Sequence, residues 1–242
     1  MEYLLSIAGY DPTGGAGVIR DILTFRKLGF YGMGVITTIT YQNTKGFYGF
    51  EALDEKIVER EIEKIVEDFP IKYVKIGMVG KAADVILKFQ RKYSWLTVAD
   101  PLLEAKNSFP LNSLEDIEKI MERAYAITPN IPEAGKLSNV KIEKEEDILK
   151  AGKILLEKYG KYVIIKGGHG EGRDYLFGEN VKFFQMPHLG KEVHGTGCAY
   201  SSALLGFIAK GYDMEEAFKE ARKFVQREIE RSIETGGYSL LP

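Results

Sequence analysis

The segment Tyr73–Ala99 reads YVKIGMVGKAADVILKFQRKYSWLTVA and decides the fold class of this 242-residue chain. Two apolar runs of strand length, Tyr73–Ile76 and Leu96–Ala99, flank a stretch from Lys81 to Tyr93 with helical periodicity. A strand, a helix and a second strand in this order predict a crossover connection between parallel strands.

The same alternation continues in both directions along the chain. Further strand-like runs occur at Tyr3–Ala8, Val35–Thr40, Tyr125–Ile127 and Tyr162–Ile165, with helical periodicity between them. The pattern predicts a single α/β domain over residues 1–242, a three-layer α/β/α sandwich around a mostly parallel central sheet. Because such sheets bind ligands beyond the carboxyl ends of their strands, residues that directly follow strands are the candidates for chemistry.

Composition excludes several classes of function. The formal net charge of −2 offers no excess of Lys and Arg for neutralising nucleic-acid phosphates. Cys198 is the single cysteine, so no intrachain disulfide can form, and the N-terminal apolar run is too short for a signal peptide or a membrane span. We therefore expect a cytoplasmic protein with neither nucleic-acid nor membrane partners.

The strongest chemical signal is His194-Gly195-Thr196-Gly197-Cys198, followed by small residues that open a helix. The free amides and dipole of a helix start favour a phosphate, although a plain glycine turn has the same residues. At this position we expect the Cys198 thiol to have a lowered pKa. It would then act as a general base toward a substrate hydroxyl, or as a nucleophile with His194 as its base; an inert, buried cysteine is the alternative.

A second glycine-rich segment, Ala8–Gly17, follows the first strand and carries three glycines within four residues. It predicts a loop that approaches a ligand closely, or a plain turn into the next helix. The spacing matches neither the dinucleotide-binding fingerprint nor a P-loop. Asp21, on the following helix, would face either this cavity or solvent.

Three further strand ends carry polar groups. Asn130 and Glu133 share one face of a helical turn, where they can hold a hydrated Mg²⁺ or form a capping box. Lys166 ends an apolar strand and can neutralise phosphate charge or simply reach water. Asp100 can bind a metal or a water. An anion cradle, a base, a lysine and a carboxylate together are what phosphoryl transfer requires.

These motifs resemble the hydroxymethylpyrimidine/phosphomethylpyrimidine kinases of thiamine biosynthesis, members of the ribokinase-like superfamily. The resemblance runs from about Leu5 to Ala221. It rests on Ala8–Gly17, Tyr41–Thr44, Lys75–Met78, Asp100–Pro101, Thr128–Ala134, Lys166–His169 and His194–Cys198.

The resemblance implies a ribokinase-like fold, ATP and Mg²⁺ as cofactors, and a homodimer. The acceptor would be 4-amino-5-hydroxymethyl-2-methylpyrimidine and then its monophosphate. The implied site residues are Gly195, Thr196 and Gly197 as the anion hole and Cys198 as the base; Lys166, Asp100, Thr128 and Gly168 at the nucleotide; Gly9, Asp21, Gln42 and Met78 around the pyrimidine; and Asn130 and Glu133 at the metal.

Two segments depart from the family pattern. Lys106 is followed by Asn107-Ser108-Phe109 without the family's glycine, and Gly236–Leu241 lacks its usual Gly-Pro-and-His tail. Three alternatives stay open: a pyridoxal kinase of the same fold, a cysteine hydrolase that uses Cys198 and His194, and a pyrimidine-binding sensor without catalysis.

Overall fold

A computed structural model describes residues 2–105, 109–167 and 172–242. The strands are β1 (Tyr3–Tyr10), β2 (Tyr31–Asn43), β3 (Gly46–Ala52), β4 (Tyr73–Ile76), β5 (Leu96–Ala99), β6 (Ala126–Ile127), β7 (Tyr162–Ile165), β8 (Arg173–Phe177), β9 (Lys182–Gln185), β10 (Val193–His194) and β11 (Ser239–Leu240). The helices are α1 (Gly17–Lys27), α2 (Glu55–Asp68), α3 (Ala83–Lys92), α4 (Leu114–Met121), α5 (Ile131–Ser138), α6 (Glu145–Tyr159), α7 (Thr196–Ala209) and α8 (Met214–Glu230).

The main sheet has the strand order β3-β2-β1-β4-β5-β6-β7-β8-β9. The six central strands, β2-β1-β4-β5-β6-β7, are parallel to their neighbours in this series. At one end of the sheet β3 pairs antiparallel with β2, and at the other end β8 and β9 continue the sheet with antiparallel pairing. The predicted mostly parallel sheet is therefore confirmed, and the β4–α3–β5 crossover that decides it lies near its centre. A separate parallel pair, β10 with β11, joins the end of the chain to the start of α7.

The two faces of the sheet carry separate apolar cores. Successive side chains of β1 alternate between the two cores. Leu5 and Ile7 point into the core formed with α2 to α6, whereas Leu4 points into the core formed with α1, α7 and α8. Ile164 in β7 joins the second core, while the residues on either side of it join the first. Helices on both faces give the predicted three layers.

Helix α7 packs between α1 and α8, and all of its residues from Cys198 to Ala209 are buried. Gly206 makes this possible, since a Cβ there would lie 2.6 Å from a methyl group of Leu28. The burial fixes the direction of α7 and places its N-terminus at the carboxyl edge of the sheet. Within the described residues, no helix combines the length and the apolar character needed to cross a bilayer.

Candidate active site

A cavity of about 890 Å³ opens at the carboxyl edge of the sheet, in front of the N-terminus of α7. Most of the site residues predicted from the sequence meet on its wall: Gly9, Gln42, Met78, Asn130, Glu133, Lys166, Gly195, Thr196, Gly197 and Cys198. The volume lies in the range of small-molecule sites, which is about 300–1,000 Å³. Predicted residues 168–169 and 106–108 lie outside the described part of the chain, Gly168 among them.

The two glycine-rich segments pack directly against each other. Gly195 caps α7 with φ +79°, and a Cβ at this position would lie 1.7 Å from the Gly15 carbonyl oxygen, so only glycine fits. The buried Asp11 carboxylate ties the segments together, since it accepts hydrogen bonds from the Ala16 amide at 2.9 Å and faces His194 Nε2 at 3.1 Å. Burial raises the pKa of Asp11, but hydrogen bonds from His194 and Thr13 outweigh it and hold the pKa below its usual value.

The first turn of α7 presents its amides to the cavity. Among the described residues no side chain caps this helix, and the first turn carries no acidic group. Unpaired amides and the positive end of the helix dipole make an anion site. Lys166 adds a positive charge beside it, since a Cβ on Gly197 would lie 3.3 Å from Lys166 Nζ.

The Cys198 thiol is buried, and its pKa is raised, whereas the sequence predicted a lowered pKa. Burial raises the pKa to about 11, and the lowering effects of the Lys75 ammonium and the Gly17 amide do not overcome it. The expected lowering at a helix start is therefore wrong, because loss of hydration outweighs the helix end. The neighbouring His194 is engaged with Asp11, an arrangement that does not favour a Cys–His hydrolase.

Asp21 does not line the cavity, contrary to the expectation that it contacts the substrate. Its side chain is fully buried beneath α7 and accepts hydrogen bonds from Ser6 at 2.5 Å, Lys75 at 2.9 Å and Ser202 at 2.8 Å. Burial lowers the pKa of Lys75, but the Asp21 carboxylate, with Cys198 and Asp100, raises it above the usual value, so Lys75 stays charged. Asp21 therefore serves the site indirectly, by anchoring α7.

Asp100 and Thr128 likewise lie beneath the cavity wall rather than on it. Both are fully buried, and Asp100 accepts hydrogen bonds from Lys166 at 2.8 Å, Thr128 at 3.1 Å and Ser201 at 3.3 Å. Burial raises the pKa of Asp100, but Lys166 and Lys75 outweigh it and keep the carboxyl ionised. Asp100, which also bonds Thr128, thus holds the Lys166 ammonium in place at the cavity. The Lys166 side chain is 14% exposed.

Asn130 and Glu133 form the capping box that the sequence allowed, at the start of α5. The Asn130 side chain accepts from the Glu133 amide and the Glu133 carboxylate accepts from the Asn130 amide, both at 2.8 Å. Burial raises the pKa of Glu133 to about 7, although Lys166 opposes it. Both residues still line the cavity, so the two roles are compatible. Within the described ranges, this site included, no group of three or more His, Cys, Asp or Glu side chains is placed to hold a metal ion.

The opposite wall carries a fixed amide. The Thr40 hydroxyl donates to the Tyr10 carbonyl at 2.8 Å, so its oxygen accepts from Gln42 Nε2 at 2.9 Å. This chain of hydrogen bonds orients the Gln42 amide and leaves Oε1 as the free acceptor of a residue that lines the cavity. Met78 is 4% exposed and packs beside Gly9, where a Cβ would lie 3.2 Å from its sulfur.

The sequence and the fold both match known kinases. The family model described as phosphomethylpyrimidine kinase matches residues 11–241. The hydroxymethylpyrimidine/phosphomethylpyrimidine kinase of Aquifex aeolicus is 38% identical over 98% of each chain. A crystal structure of phosphomethylpyrimidine kinase from Clostridium difficile superimposes with a TM-score of 0.82 at 37% identity, covering 94% of this chain and 99% of that one.

The chain belongs to the phosphomethylpyrimidine kinase family. It is therefore a phosphotransferase with the ribokinase-like fold, as the motifs implied. The pyridoxal kinase from Staphylococcus aureus, solved with AMP-PCP and pyridoxal, is a structural neighbour with a TM-score of 0.88 at 27% identity, covering 100% of this chain and 93% of that one.

Sequence reasoning missed several residues that shape the site of this kinase. Ser201 and Ser202 looked like part of a small-residue helix start, yet they connect α7 to the two buried ion pairs. Asp11 and Tyr238 were not singled out, although both border the cavity. Two adjacent hydroxyls at a helix start, together with one carboxylate after a strand and one on α1, were the signal available for the serines.

Removing the Asp21 carboxylate should destabilise this kinase. Asp21→Ala leaves the buried Lys75 ammonium without its partner, so we expect the free energy of unfolding to fall by about 3–5 kcal/mol. Urea unfolding of the wild type and the variant measures this change in the free energy of unfolding. The control is Glu67→Ala, which removes an exposed ion pair with Lys64 at 2.6 Å and should cost less than about 1 kcal/mol. A loss below about 1 kcal/mol for Asp21→Ala would show that the buried pair does not anchor α7.

The buried thiol should react slowly. With a pKa of about 11, little of Cys198 is thiolate at pH 8. We expect iodoacetamide to alkylate the folded protein about 100-fold more slowly than the urea-unfolded chain, whose thiol has a pKa near 8.5. Because the chain has one cysteine, mass spectrometry reports this site alone. Equal rates for the folded and unfolded chains would contradict both the burial and the raised pKa.

Proposed function

We propose that this protein transfers the γ-phosphoryl group of ATP to the hydroxymethyl group of 4-amino-5-hydroxymethyl-2-methylpyrimidine, and then phosphorylates the resulting monophosphate, within thiamine biosynthesis. The observation that carries the proposal is the uncapped N-terminus of α7, which meets Lys166 and the Cys198 thiol in one cavity. The names of the relatives support the same acceptor, and the neighbour solved with AMP-PCP supports ATP as donor.

The roles of the residues follow from their positions. The amides at the start of α7 and the Lys166 ammonium stabilise negative charge on the transferred phosphoryl group. Cys198 is the base: as thiolate it takes the proton of the hydroxymethyl group while the oxygen attacks the γ-phosphorus, and ADP leaves with the electrons of the broken bond. Since the thiol has a pKa of about 11, Cys198 must first lose its own proton to solvent before it can accept the proton of the hydroxymethyl group.

Asn130 and Glu133 fit a hydrated Mg²⁺. Their oxygens are hard donors at the cavity wall, although each already accepts an amide hydrogen bond, which favours contact through waters. When bound with ATP, the ion neutralises phosphate charge. The carboxylate of Glu133, whose pKa of about 7 reflects burial, would be held ionised by such a cation.

The fixed Gln42 amide favours the pyrimidine over pyridoxal. Its Oε1 accepts hydrogen bonds, and the 4-amino group of the pyrimidine is a donor. In pyridoxal the ring position next to the hydroxymethyl group carries an aldehyde, which only accepts, and the phenol, which can donate, lies one position farther away. The structural neighbour with pyridoxal makes that vitamin the second candidate, since the fold of this chain is also that of a pyridoxal kinase.

We further propose that the chain works as one domain over residues 1–242, as a cytoplasmic homodimer. The edge strand β3 and its neighbour β2 support the dimer, because Ile39, Tyr41 and Tyr48 are 40%, 49% and 64% exposed there. A second copy of the chain would cover this apolar strip. Light scattering of the purified protein measures the mass; a monomer would rule the dimer out.

The function is tested by kinase assays on both acceptors. We expect kcat/KM to be at least about 10-fold higher for the pyrimidine alcohol than for pyridoxal, because a site built around a hydrogen bond discriminates against a ligand that does not complete it. Turnover should require ATP and Mg²⁺. A preference for pyridoxal would overturn the proposed substrate. Binding of the pyrimidine with no phosphate transfer would favour a sensor.

Replacing the base should slow the chemical step. Cys198→Ala is expected to lower kcat by about 10²–10⁴-fold with little change in the KM of either substrate. Cys198→Asp is the matched variant, because it restores a group that accepts a proton and should recover part of the rate. If Cys198→Ala keeps a kcat close to that of the wild type, the thiol only packs the helix start.

A further inference from the structure

Tyr238, which follows α8 and precedes β11, forms part of the cavity wall. After α8 the chain returns to the site, where β11 pairs in parallel with β10, the strand that leads into the anion site. Val193 aligns with Ser239 and His194 with Leu240. Leu241 is 2% exposed, so this segment is packed rather than a loose terminus.

A buried arginine fixes the segment to the first glycine-rich loop. Arg20 is 4% exposed, and its guanidinium donates to the Leu241 carbonyl at 2.7 Å, to Pro242 at 2.9 Å and to the Gly14 carbonyl at 3.1 Å. Lys27 adds a hydrogen bond to Pro242 at 2.7 Å. The chain end and the loop that packs on Gly195 are therefore held as one unit.

Tyr238 connects this unit to the hairpin between β2 and β3. Its amide donates to the Thr44 carbonyl at 2.6 Å, and its own carbonyl accepts from the Thr235 hydroxyl at 2.7 Å. Thr44 lies two residues after Gln42, at the tip of that hairpin. The Tyr238 ring borders the cavity and stacks on His194 with centroids 6.2 Å apart and planes 27° apart.

We propose that Tyr238 is a specificity-determining residue for the acceptor, its ring forming the wall of the cavity next to the Gln42 hairpin and contacting a flat heteroaromatic alcohol. The proposal rests on the function proposed above, which places the acceptor at Gln42. A tyrosine backed by the His194 ring keeps its orientation without a ligand, so little rotamer entropy is lost when an aromatic acceptor packs on it. The nucleotide phosphates, at the start of α7 and Lys166, do not need this ring.

The test separates the ring from the backbone of the segment. Tyr238→Ala removes the ring but keeps the amide that bonds to Thr44, and Tyr238→Phe keeps the ring. We expect Tyr238→Ala to raise the KM for the pyrimidine alcohol about 3- to 10-fold, the scale of one aromatic contact, with the KM for ATP within about 2-fold and kcat nearly unchanged. Because Tyr238→Phe keeps the ring, its KM for the pyrimidine alcohol should lie closer to that of the wild type than to that of Tyr238→Ala.

The control is Tyr212→Ala, which removes a 41% exposed ring that packs on Phe207 away from the cavity. Calorimetric binding of the pyrimidine alcohol to the wild type and to Tyr238→Ala gives a readout that does not depend on turnover. Wild-type binding without phosphorylation would overturn the proposed function, while weaker binding to Tyr238→Ala would still support the role of the ring. Equal affinity in both proteins, or equal rises in the KM of the acceptor and of ATP, would overturn the role of Tyr238.

Discussion

Two buried ion pairs beneath the N-terminus of α7 are the constraint on which the site depends. Asp21 with Lys75, and Asp100 with Lys166, bind adjacent serines of α7, Ser202 and Ser201 respectively. Charges removed from water are costly unless each is paired and hydrogen-bonded, and both aspartates accept at least three hydrogen bonds. Any shift of α7 would break these contacts, so its anion site is held in place before a ligand arrives.

The same burial explains the state of the thiol. Cys198 lies between the two pairs, where the aspartates raise its pKa and Lys75 lowers it, and burial is the largest effect. A neutral thiol avoids a further buried negative charge beside an anion site. Two other residues of the cavity wall lie on other elements, Gln42 on the β2–β3 hairpin and Tyr238 just before β11. Recognition of the acceptor and stabilisation of the phosphoryl group therefore rest on different elements.

The repeated strand–helix pattern predicted the sheet, its direction and the edge that bears the site, because hydrophobic periodicity is a local property. The short strands β10 and β11 could not be predicted, since two residues carry no periodicity and their pairing joins positions 46 residues apart. The motifs located the cavity wall correctly, but they could not separate residues on the wall from those beneath it. Asp100 and Thr128 directly follow strands, and Asp21 lies in the helix after the first glycine-rich loop, all positions typical of ligand residues. Only packing shows that their partners are side chains of the protein. The prediction of a lowered pKa for Cys198 failed for the same reason, since a position at a helix start does not show how deeply the thiol is buried.

The central claim is that the start of α7 transfers a phosphoryl group to a hydroxyl held beside Cys198. A crystal structure with a non-hydrolysable ATP analogue and the pyrimidine alcohol tests it most directly. We expect the hydroxyl oxygen within about 3.5 Å of Cys198 Sγ and the terminal phosphate at the amides of residues 196–198, beside Lys166. A hydroxymethyl group directed away from Cys198, or a terminal phosphate bound away from α7, would contradict the account.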